Sequence, residues 1–438
     1  MNQTKNTAGI YTLGCKVNQY ESQAIAEELC RNGFEICPPT SICDVYIINT
    51  CTVTAESDRK ARQFIRRAIS KNPSAYIIVT GCMAQTSPDS AAAIEGVDAV
   101  IGNTDKLQAA LVAKELVSSG KKRRPALVSV SDIDKAGFEK MSISAFERTR
   151  AYVKIEDGCE SRCTYCIIPS ARGRIRSKPM QDVINEVTEL TRGGCREVVL
   201  TGIETASYGK DLEDGDLATL LEQIDLIPNI GRVRLGSLDP SLIKPDFVRR
   251  IAALKSLAPH FHLSLQSGSS RVLALMKRKY NAEQAMRAIE LLREHIPNVK
   301  FTTDIIVGFP TETEADFMET VEFVTKAGFL TAHVFPYSKR AGTPAAVMSG
   351  QISKEEKSRR LHLLSELEAQ LRRELLEREL QKRQSAEVLF ETWKDGIATG
   401  HTADFLEVSV FSDKPLHACT ADVKLSVTDG NILFGTLE

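Results

Sequence analysis

The chain has almost no net charge, few histidines and no long apolar run. Fifty-six basic side chains stand against fifty-seven acidic ones, a formal charge of −1. No global field therefore attracts a polyanion, and any nucleic-acid contact must come from local patches. None of the seven histidines precedes His260, so no imidazole lies near in sequence to any cysteine of the first half. The opening Met-Asn-Gln-Thr-Lys-Asn-Thr lacks the apolar stretch of a signal peptide, and no run approaches membrane-spanning length. The expectation is a cytoplasmic protein without membrane contact. A hydrophobic share of 42% and a charged share of 26% describe an ordinary globular chain, and 438 residues suffice for two to four domains.

Cysteine is what the chain does have. Eleven cysteines in a reducing compartment argue for metal or redox chemistry, because disulfides rarely persist there. Three fall within Cys159-Glu-Ser-Arg-Cys163-Thr-Tyr-Cys166, after the alternating run Tyr152-Val-Lys-Ile-Glu. A closed zinc site wants four ligands, and the next cysteine, Cys195, lies in a helix-to-strand turn. Three soft thiolates suit an iron–sulfur cube with one iron left open to bind a reactant. Zinc or a redox pair is the alternative.

A second trio lies upstream. Ile10-Tyr-Thr-Leu, Val45-Tyr-Ile-Ile and Tyr76-Ile-Ile-Val are short apolar runs separated by helical patterns over Gln19–Arg31 and Glu56–Ser70, the alternation of a parallel sheet. They run into Leu13-Gly-Cys15, Asn49-Thr-Cys51 and Thr80-Gly-Cys82. Parallel strands end along one edge of a sheet, where open α/β folds bind ligands, so these three thiols can converge. The glycines leave room for a bulky inorganic centre. Cys30 in a helix, Cys37 in a proline loop and Cys43 at the opposite edge do not fit the trio and read as ordinary small residues. Lys121–Arg124 and the polar stretch to Ser144 read as a linker.

From Tyr152 to Ser338 six strand-like runs alternate with helices, which predicts an incomplete (βα)6 barrel with its chemistry at the strand carboxyl ends. The runs are Tyr152–Glu156, Glu197–Thr201, Arg232–Gly236, His260–Leu265, Phe301–Val307 and Ala332–Pro336. Ser353–Gln384 reads as one long charged helix with a leucine stripe. From Ala386 onward, four short alternating runs separated by Gly, Asp and Asn turns predict a small all-β barrel. This segment carries three lysines and no arginine against nine acidic residues, a poor balance for holding phosphates.

Cys-x-x-x-Cys-x-x-Cys after a first barrel strand resembles the radical S-adenosylmethionine superfamily, and a further trio upstream resembles its methylthiotransferase branch. The wording is closest to the threonylcarbamoyladenosine tRNA subfamily: Thr12-Leu-Gly-Cys-Lys-Val-Asn-Gln-Tyr-Glu-Ser22, Cys166-Ile-Ile-Pro-Ser-Ala-Arg-Gly-Arg174 and His333-Val-Phe-Pro-Tyr-Ser-Lys-Arg-Ala-Gly-Thr-Pro344. The resemblance implies three domains: an N-terminal α/β domain over 1–140, a radical barrel over 145–375 and a TRAM-like barrel over 380–438. It implies two 4Fe-4S clusters, an auxiliary one on Cys15, Cys51 and Cys82 and one on Cys159, Cys163 and Cys166 that binds S-adenosylmethionine. Both trios are implied to be catalytic.

The implied reaction replaces the hydrogen at carbon 2 of threonylcarbamoyladenosine, at adenosine-37 of tRNA, by a methylthio group. That carbon carries no acidic proton, so a side-chain base cannot perform the exchange and radical chemistry is required. Gly202, Glu204, Gln266, Gly308 and Arg174 are the expected cofactor contacts, and Arg172, Arg176, Ser267 and Arg340 the expected substrate contacts. Lys178 extends the local basic stripe. Asp304 reads as structural and His333 as a core or edge residue. The expected partners are tRNA and an electron donor such as flavodoxin or ferredoxin, with the protein a monomer. Three other readings stay open: an isopentenyladenosine tRNA substrate, an aspartate of a small-subunit ribosomal protein, and a non-catalytic iron–sulfur carrier or sensor.

Overall fold

The computed structural model describes residues 5–145, 149–213 and 215–438. The first unit is a six-stranded, wholly parallel sheet. Its spatial order is Glu35–Cys37, Thr7–Thr12, Val45–Thr50, Tyr76–Gly81, Ala99–Ile101, Leu127–Ser129. Val45–Thr50 is buried along its whole length, as a central parallel strand covered on both faces should be. Two separate apolar cores lie against the sheet, one around Tyr46, Ile48 and Ile65 and the other around Ile47, Ile25 and Leu116. The strand order reverses between Thr7–Thr12 and Val45–Thr50, and at such a switch point the carboxyl edge opens a crevice.

Part of the expected linker belongs to this unit. Leu127–Ser129 is the sixth strand, paired with Ala99–Ile101. The basic run before it is anchored as well, since Lys122 and Arg124 both reach the buried Asp98 carboxylate, at 3.4 and 3.1 Å.

All six expected barrel strands form, but as two sheets. Arg150–Lys154, Glu197–Thr201 and Arg232–Leu235 make one; Ser237–Leu238, His260–Gln266, Lys300–Val307 and Thr331–Pro336 make the other. The chain passes between them at Gly236, and a bridge from Val233 to Leu257 links them. The barrel is open between its first and last strands, and the N-terminal unit lies against the first, as Tyr20 and Ala24 join the barrel's core.

Lys354–Lys382 is a single helix of 29 residues, capped by the Ser353 side chain and carrying Glu355 and Glu356 in its first turn. Its leucines serve two cores: Leu364 packs into the large barrel, Leu375 and Leu376 into the small one. The small barrel is closed and has five strands, one more than the sequence suggested. The extra strand, Ile397–Thr402, contains Gly400 and His401, which obscure the alternation. The acidity of this barrel is partly an interface property. Glu387 pairs with Arg232 at 2.5 Å, Glu391 meets Arg150, and Asp404 meets Lys300 at 3.4 Å. Among the described residues no helix is long and apolar enough to cross a membrane.

Candidate active site

The three upstream cysteines converge at the switch point. Gly14 and Gly81 adopt φ of +102° and +93°, and a Cβ on them would fall 2.8 Å from Cys51 Cβ and 2.4 Å from the Thr50 carbonyl oxygen. The space they leave is thus filled by the neighbouring strand end rather than kept for an inorganic centre, and it is what lets the strand ends close up. Asn18, fully buried, fastens them: its Nδ2 donates to the Leu13 and Thr50 carbonyls at 2.6 and 3.0 Å.

Burial raises the Cys15 thiol, and Cys82 adds to the rise. Cys51 is pushed up to about 11 by burial, with Cys82 and Cys15 both contributing. Cys82 is therefore felt at both Cys15 and Cys51, and Cys15 at Cys51. Cys15 and Lys16 are both solvent-exposed, so this edge of the site stays accessible.

The second trio lies at the carboxyl end of the first barrel strand. Cys159 Sγ donates to Glu204 Oε2 at 3.0 Å, and Glu204 also accepts from the Ser161 hydroxyl at 3.1 Å and pairs with Lys279 at 3.3 Å. Glu156, fully buried, accepts the Glu204 backbone N–H at 2.8 Å and holds that loop. Arg278 Nη1 donates to Cys163 Sγ at 3.3 Å, while its Nη2 binds Asp239 at 2.8 Å and the Ser264 carbonyl at 2.9 Å. Burial lifts Cys166 to about 11 and, with Glu204, lifts Cys159 higher. Burial thus favours the protonated form at Cys159 and Cys166, so loading a metal centre there must displace protons.

A chamber of about 390 Å³ joins the trio to the N-terminal unit. Cys159, Cys163 and Cys166 line it together with Val53 and Thr54, the second and third residues after Cys51. Asp304, Ser264 and Gln266 supply polar groups, and Ile306, Phe335 and Tyr337 supply apolar walls.

Between the trios runs a buried ionic network. Arg172 has no exposed surface; it donates to Asn18 Oδ1 at 2.5 Å, to Glu21 Oε2 at 3.0 Å and to Asp157 Oδ2 at 3.2 Å. Lys106 and Lys154 also hold Glu21, the latter at 3.0 Å. Burial alone would raise the Glu21 carboxyl, but Arg172, Lys106 and Lys154 hold it well below the usual range. One residue thus connects Asn18, three positions after Cys15, to Asp157, two before Cys159.

This placement corrects the expected role of Arg172, because a guanidinium with no exposed surface, held among buried carboxylates, is out of reach of a phosphate. Arg176 is likewise 7% exposed, with Nη1 on the Arg172 and Arg174 carbonyls at 2.8 and 3.2 Å. Arg174 reaches the Asp134 carbonyl at 2.7 Å, and Lys178 is buried against Glu186. Ser267 is fully buried near the Thr320 hydroxyl at 3.3 Å. A Cβ at Gly308 would meet the Lys357 side chain, outside the chamber lining, and one at Gly202 would meet Glu156. Glu204 and Gln266 do line the chamber. Arg340 ties the barrel mouth to the N-terminal unit through Thr52 Oγ1 and Asp58 Oδ2, both at 2.7 Å. Asp304 faces the chamber and pairs with His262 at 3.3 Å, so it is more than a packing residue of its strand. Arg278, Glu156 and Lys106 were missed by sequence reasoning, since no spacing or repeat marks them.

The donor chemistry fits iron–sulfur centres. Each set is three thiols, and Cys82 lies close enough to Arg172 and Lys106 to favour their charged forms, a cationic setting that suits a thiolate-rich anion. Among the described residues no His, Cys, Asp or Glu trio is gathered as the ligand set of a single ion.

Residues 153–324 match the family described as the Radical SAM superfamily, and residues 7–102 match Uncharacterized protein family UPF0004. The threonylcarbamoyladenosine tRNA methylthiotransferase MtaB of Bacillus subtilis is 41% identical over 92% of this chain and 90% of its own length. The protein of the same name from Thermotoga maritima is 42% identical over 82% of this chain and 81% of its own. This chain belongs to the radical S-adenosylmethionine methylthiotransferase family. Within it the tRNA-2-methylthio-N(6)-dimethylallyladenosine synthase of Acetivibrio thermocellus is more distant, 34% identical over 97% of this chain and 90% of its own. The fold is shared with the radical S-adenosylmethionine methyltransferase TsrM of Kitasatospora setae, at a TM-score of 0.56 and 16% identity, covering 78% of this chain and 77% of that one.

Proposed function

We propose that this protein is a cytoplasmic tRNA methylthiotransferase that places a methylthio group at carbon 2 of threonylcarbamoyladenosine at position 37. The observation that carries this reading is one chamber lined by the second trio from the barrel and by Val53 and Thr54, which follow Cys51 of the first trio in the N-terminal unit. The identity of 41% and 42% to enzymes named for that substrate, against 34% to a dimethylallyl enzyme, supports the choice of base.

Cys159, Cys163 and Cys166 would hold the cluster that takes S-adenosylmethionine, and Cys15, Cys51 and Cys82 the auxiliary one. When bound, the two clusters and S-adenosylmethionine supply the one-electron chemistry, the sulfur and the methyl group that side chains cannot provide.

The chain's own groups do the rest. Arg278 and Glu204 fix the loop that carries the second trio, and Arg278 offers an N–H to the Cys163 sulfur. Asn18 and Arg172 set the distance between the trios, so that a base between them meets both. Ile306, Phe335 and Tyr337 give apolar walls that exclude water, while Ser264, Gln266 and Asp304 orient polar edges. A one-electron donor such as flavodoxin or ferredoxin completes the system, and the enzyme acts as a monomer on tRNA, with the C-terminal barrel as a TRAM-like module over 380–438.

The test is direct. Anaerobically reconstituted enzyme, S-adenosylmethionine, reductant and tRNA bearing threonylcarbamoyladenosine should yield the 2-methylthio nucleoside by mass spectrometry. Product only from isopentenyladenosine tRNA would transfer the assignment to that substrate, and no product from either would defeat it.

A further inference from the structure

Beneath this chamber the barrel encloses a second space of about 410 Å³ that neither trio uses. Residues two apart on a strand share a face, so His262 lies below Ser264, Thr302 below Asp304 and His333 below Phe335. Ser237 borders both spaces. They are two levels of one lumen. The lower one is floored by Phe405 of the small barrel, stacked on His260 at 4.3 Å and on His401 at 4.6 Å.

The lower lining is cationic. Lys16, Arg150, Arg234 and Arg372 face it against one carboxylate, Glu407. Much of that charge is engaged. Glu197 pairs with Arg150 and Arg234 at 3.1 and 2.6 Å, and Arg150 also meets Glu391. Arg372 donates to the Asn431 carbonyl at 3.0 Å and to Thr331 at 3.3 Å.

Three groups remain unanswered. Arg234 is 2% exposed and its Nη1 has no partner; His260 is 4% exposed and its Nδ1 has none. Lys16, directly after Cys15, points into the space with neither a hydrogen bond nor an ion pair among the described residues, its charge felt by Arg234 and Arg150 on one side and Asp304 on the other. Arg234 Nη1 and His260 Nδ1 are buried polar atoms without partners; such atoms are costly, and where they converge on a cavity, here beside the solvent-accessible Lys16 ammonium, they mark a missing ligand. Arg234 Nη1 is a donor, and His260 Nδ1 is one in the tautomer whose Nε2 accepts from the Thr302 hydroxyl at 3.0 Å; donors without an acceptor call for an anion. One uncompensated ammonium matches a single negative charge, so a carboxylate fits better than a phosphate.

We propose that the lower lumen binds the free carboxylate of the substrate's threonyl group, with Lys16 as its ionic partner and Arg234 Nη1 and His260 Nδ1 as further donors. This rests on the tRNA reading above and deepens it. A threonylcarbamoyl group carries a carboxylate; a dimethylallyl group carries none. Because Lys16 adjoins Cys15, a carboxylate held there keeps its base beside the auxiliary trio.

Reconstituted holoenzyme tests this with short RNA hairpins carrying the threonylcarbamoyl acid, its methyl ester or a dimethylallyl group, read by equilibrium binding and single-turnover product. A charge-assisted contact predicts that the wild type favours the acid over the ester by about tenfold or more. Lys16→Gln should lose that preference while binding the ester as the wild type does, and Lys16→Arg should keep part of it. Bound iron of about eight per chain in the Lys16→Gln variant, together with reductive cleavage of S-adenosylmethionine, shows that both clusters are in place. Equal binding of acid and ester by the wild type overturns the subsite but leaves the reaction standing. So does a Lys16→Gln variant that weakens both alike, or one that loses cleavage while keeping the preference. Product from the dimethylallyl hairpin alone overturns the subsite and the substrate assignment together.

Discussion

Replacing Arg172 by methionine should loosen the joint between the two trios. The side chain is fully buried and bonds to Asn18, Glu21 and Asp157. Methionine fills a similar space but leaves two carboxylates short of a cation. Breaking a buried ionic group by removing one member costs about 3–5 kcal/mol. Lys106 and Lys154 still reach Glu21, and Lys154 and Arg176 still reach Asp157, so the lower end, about 3 kcal/mol, is expected. Urea denaturation followed by far-ultraviolet circular dichroism measures it. Combining Arg172→Met with Glu21→Gln should cost less than the sum of the two, by about 1–3 kcal/mol, because the second change removes the charge that the first left unpaired. The same variant should keep reductive cleavage of S-adenosylmethionine and lose most methylthiolation, since the second trio stays intact while its distance from the first does not. Stability within about 0.5 kcal/mol of the parent, with an unchanged ratio of product to cleaved cofactor, would refute the reasoning.

Replacing any one of Cys15, Cys51 or Cys82 by alanine should lower bound iron from about eight to about four per chain and abolish methylthiolation while cofactor cleavage continues; iron analysis and product assays check it. Gly81→Ala forces a Cβ to within 2.4 Å of the Thr50 carbonyl oxygen at φ +93°, a strain of at least about 1–3 kcal/mol, and should lower both the thermal midpoint and auxiliary iron content. Phe405→Ala removes the ring between His260 and His401; at about 3 kcal/mol for a packed phenylalanine, it should move the unfolding of the small barrel to lower urea, read by fluorescence of Trp393, the chain's single tryptophan. The depressed Glu21 carboxyl gives stability that is complete above the ordinary carboxylate range and disappears only as pH falls through its lowered native value. Stability measured from pH 7 down to acid should therefore fall less steeply in Glu21→Gln than in the parent.

Both cysteine trios were legible in the sequence because their signals are local: one is a tight spacing, the other a residue repeated at the ends of three apolar runs. The barrel was legible for the same reason, six runs each followed by a helix. Arg172 was not. A charged residue in Ser-Ala-Arg-Gly-Arg reads as a solvated loop, and only the docking of the N-terminal unit buries it against Glu21, 151 positions away. Arg278 was hidden likewise in the basic run Lys277–Lys279, which gives no hint of the Cys163 sulfur it reaches. The strand Leu127–Ser129 was too short to register beside its basic neighbours, and Gly400 interrupted the alternation of Ile397–Thr402. The acidity of the small barrel became intelligible once Arg150, Arg232 and Lys300 were found facing it. The lower lumen gathers side chains from all seven strand segments of the large barrel, the first helix, the long Lys354–Lys382 helix and the small barrel, so no stretch of sequence contains it.

The measurement that bears most directly on the account is mass spectrometry of tRNA nucleosides from cells with the gene, without it, and without it but carrying a Cys82→Ala copy. The account predicts that 2-methylthio-threonylcarbamoyladenosine disappears on deletion while threonylcarbamoyladenosine accumulates, that isopentenyl derivatives are untouched, and that the Cys82→Ala copy restores nothing. Persistence of the methylthio nucleoside without the gene, or its return with the Cys82→Ala copy, would contradict it.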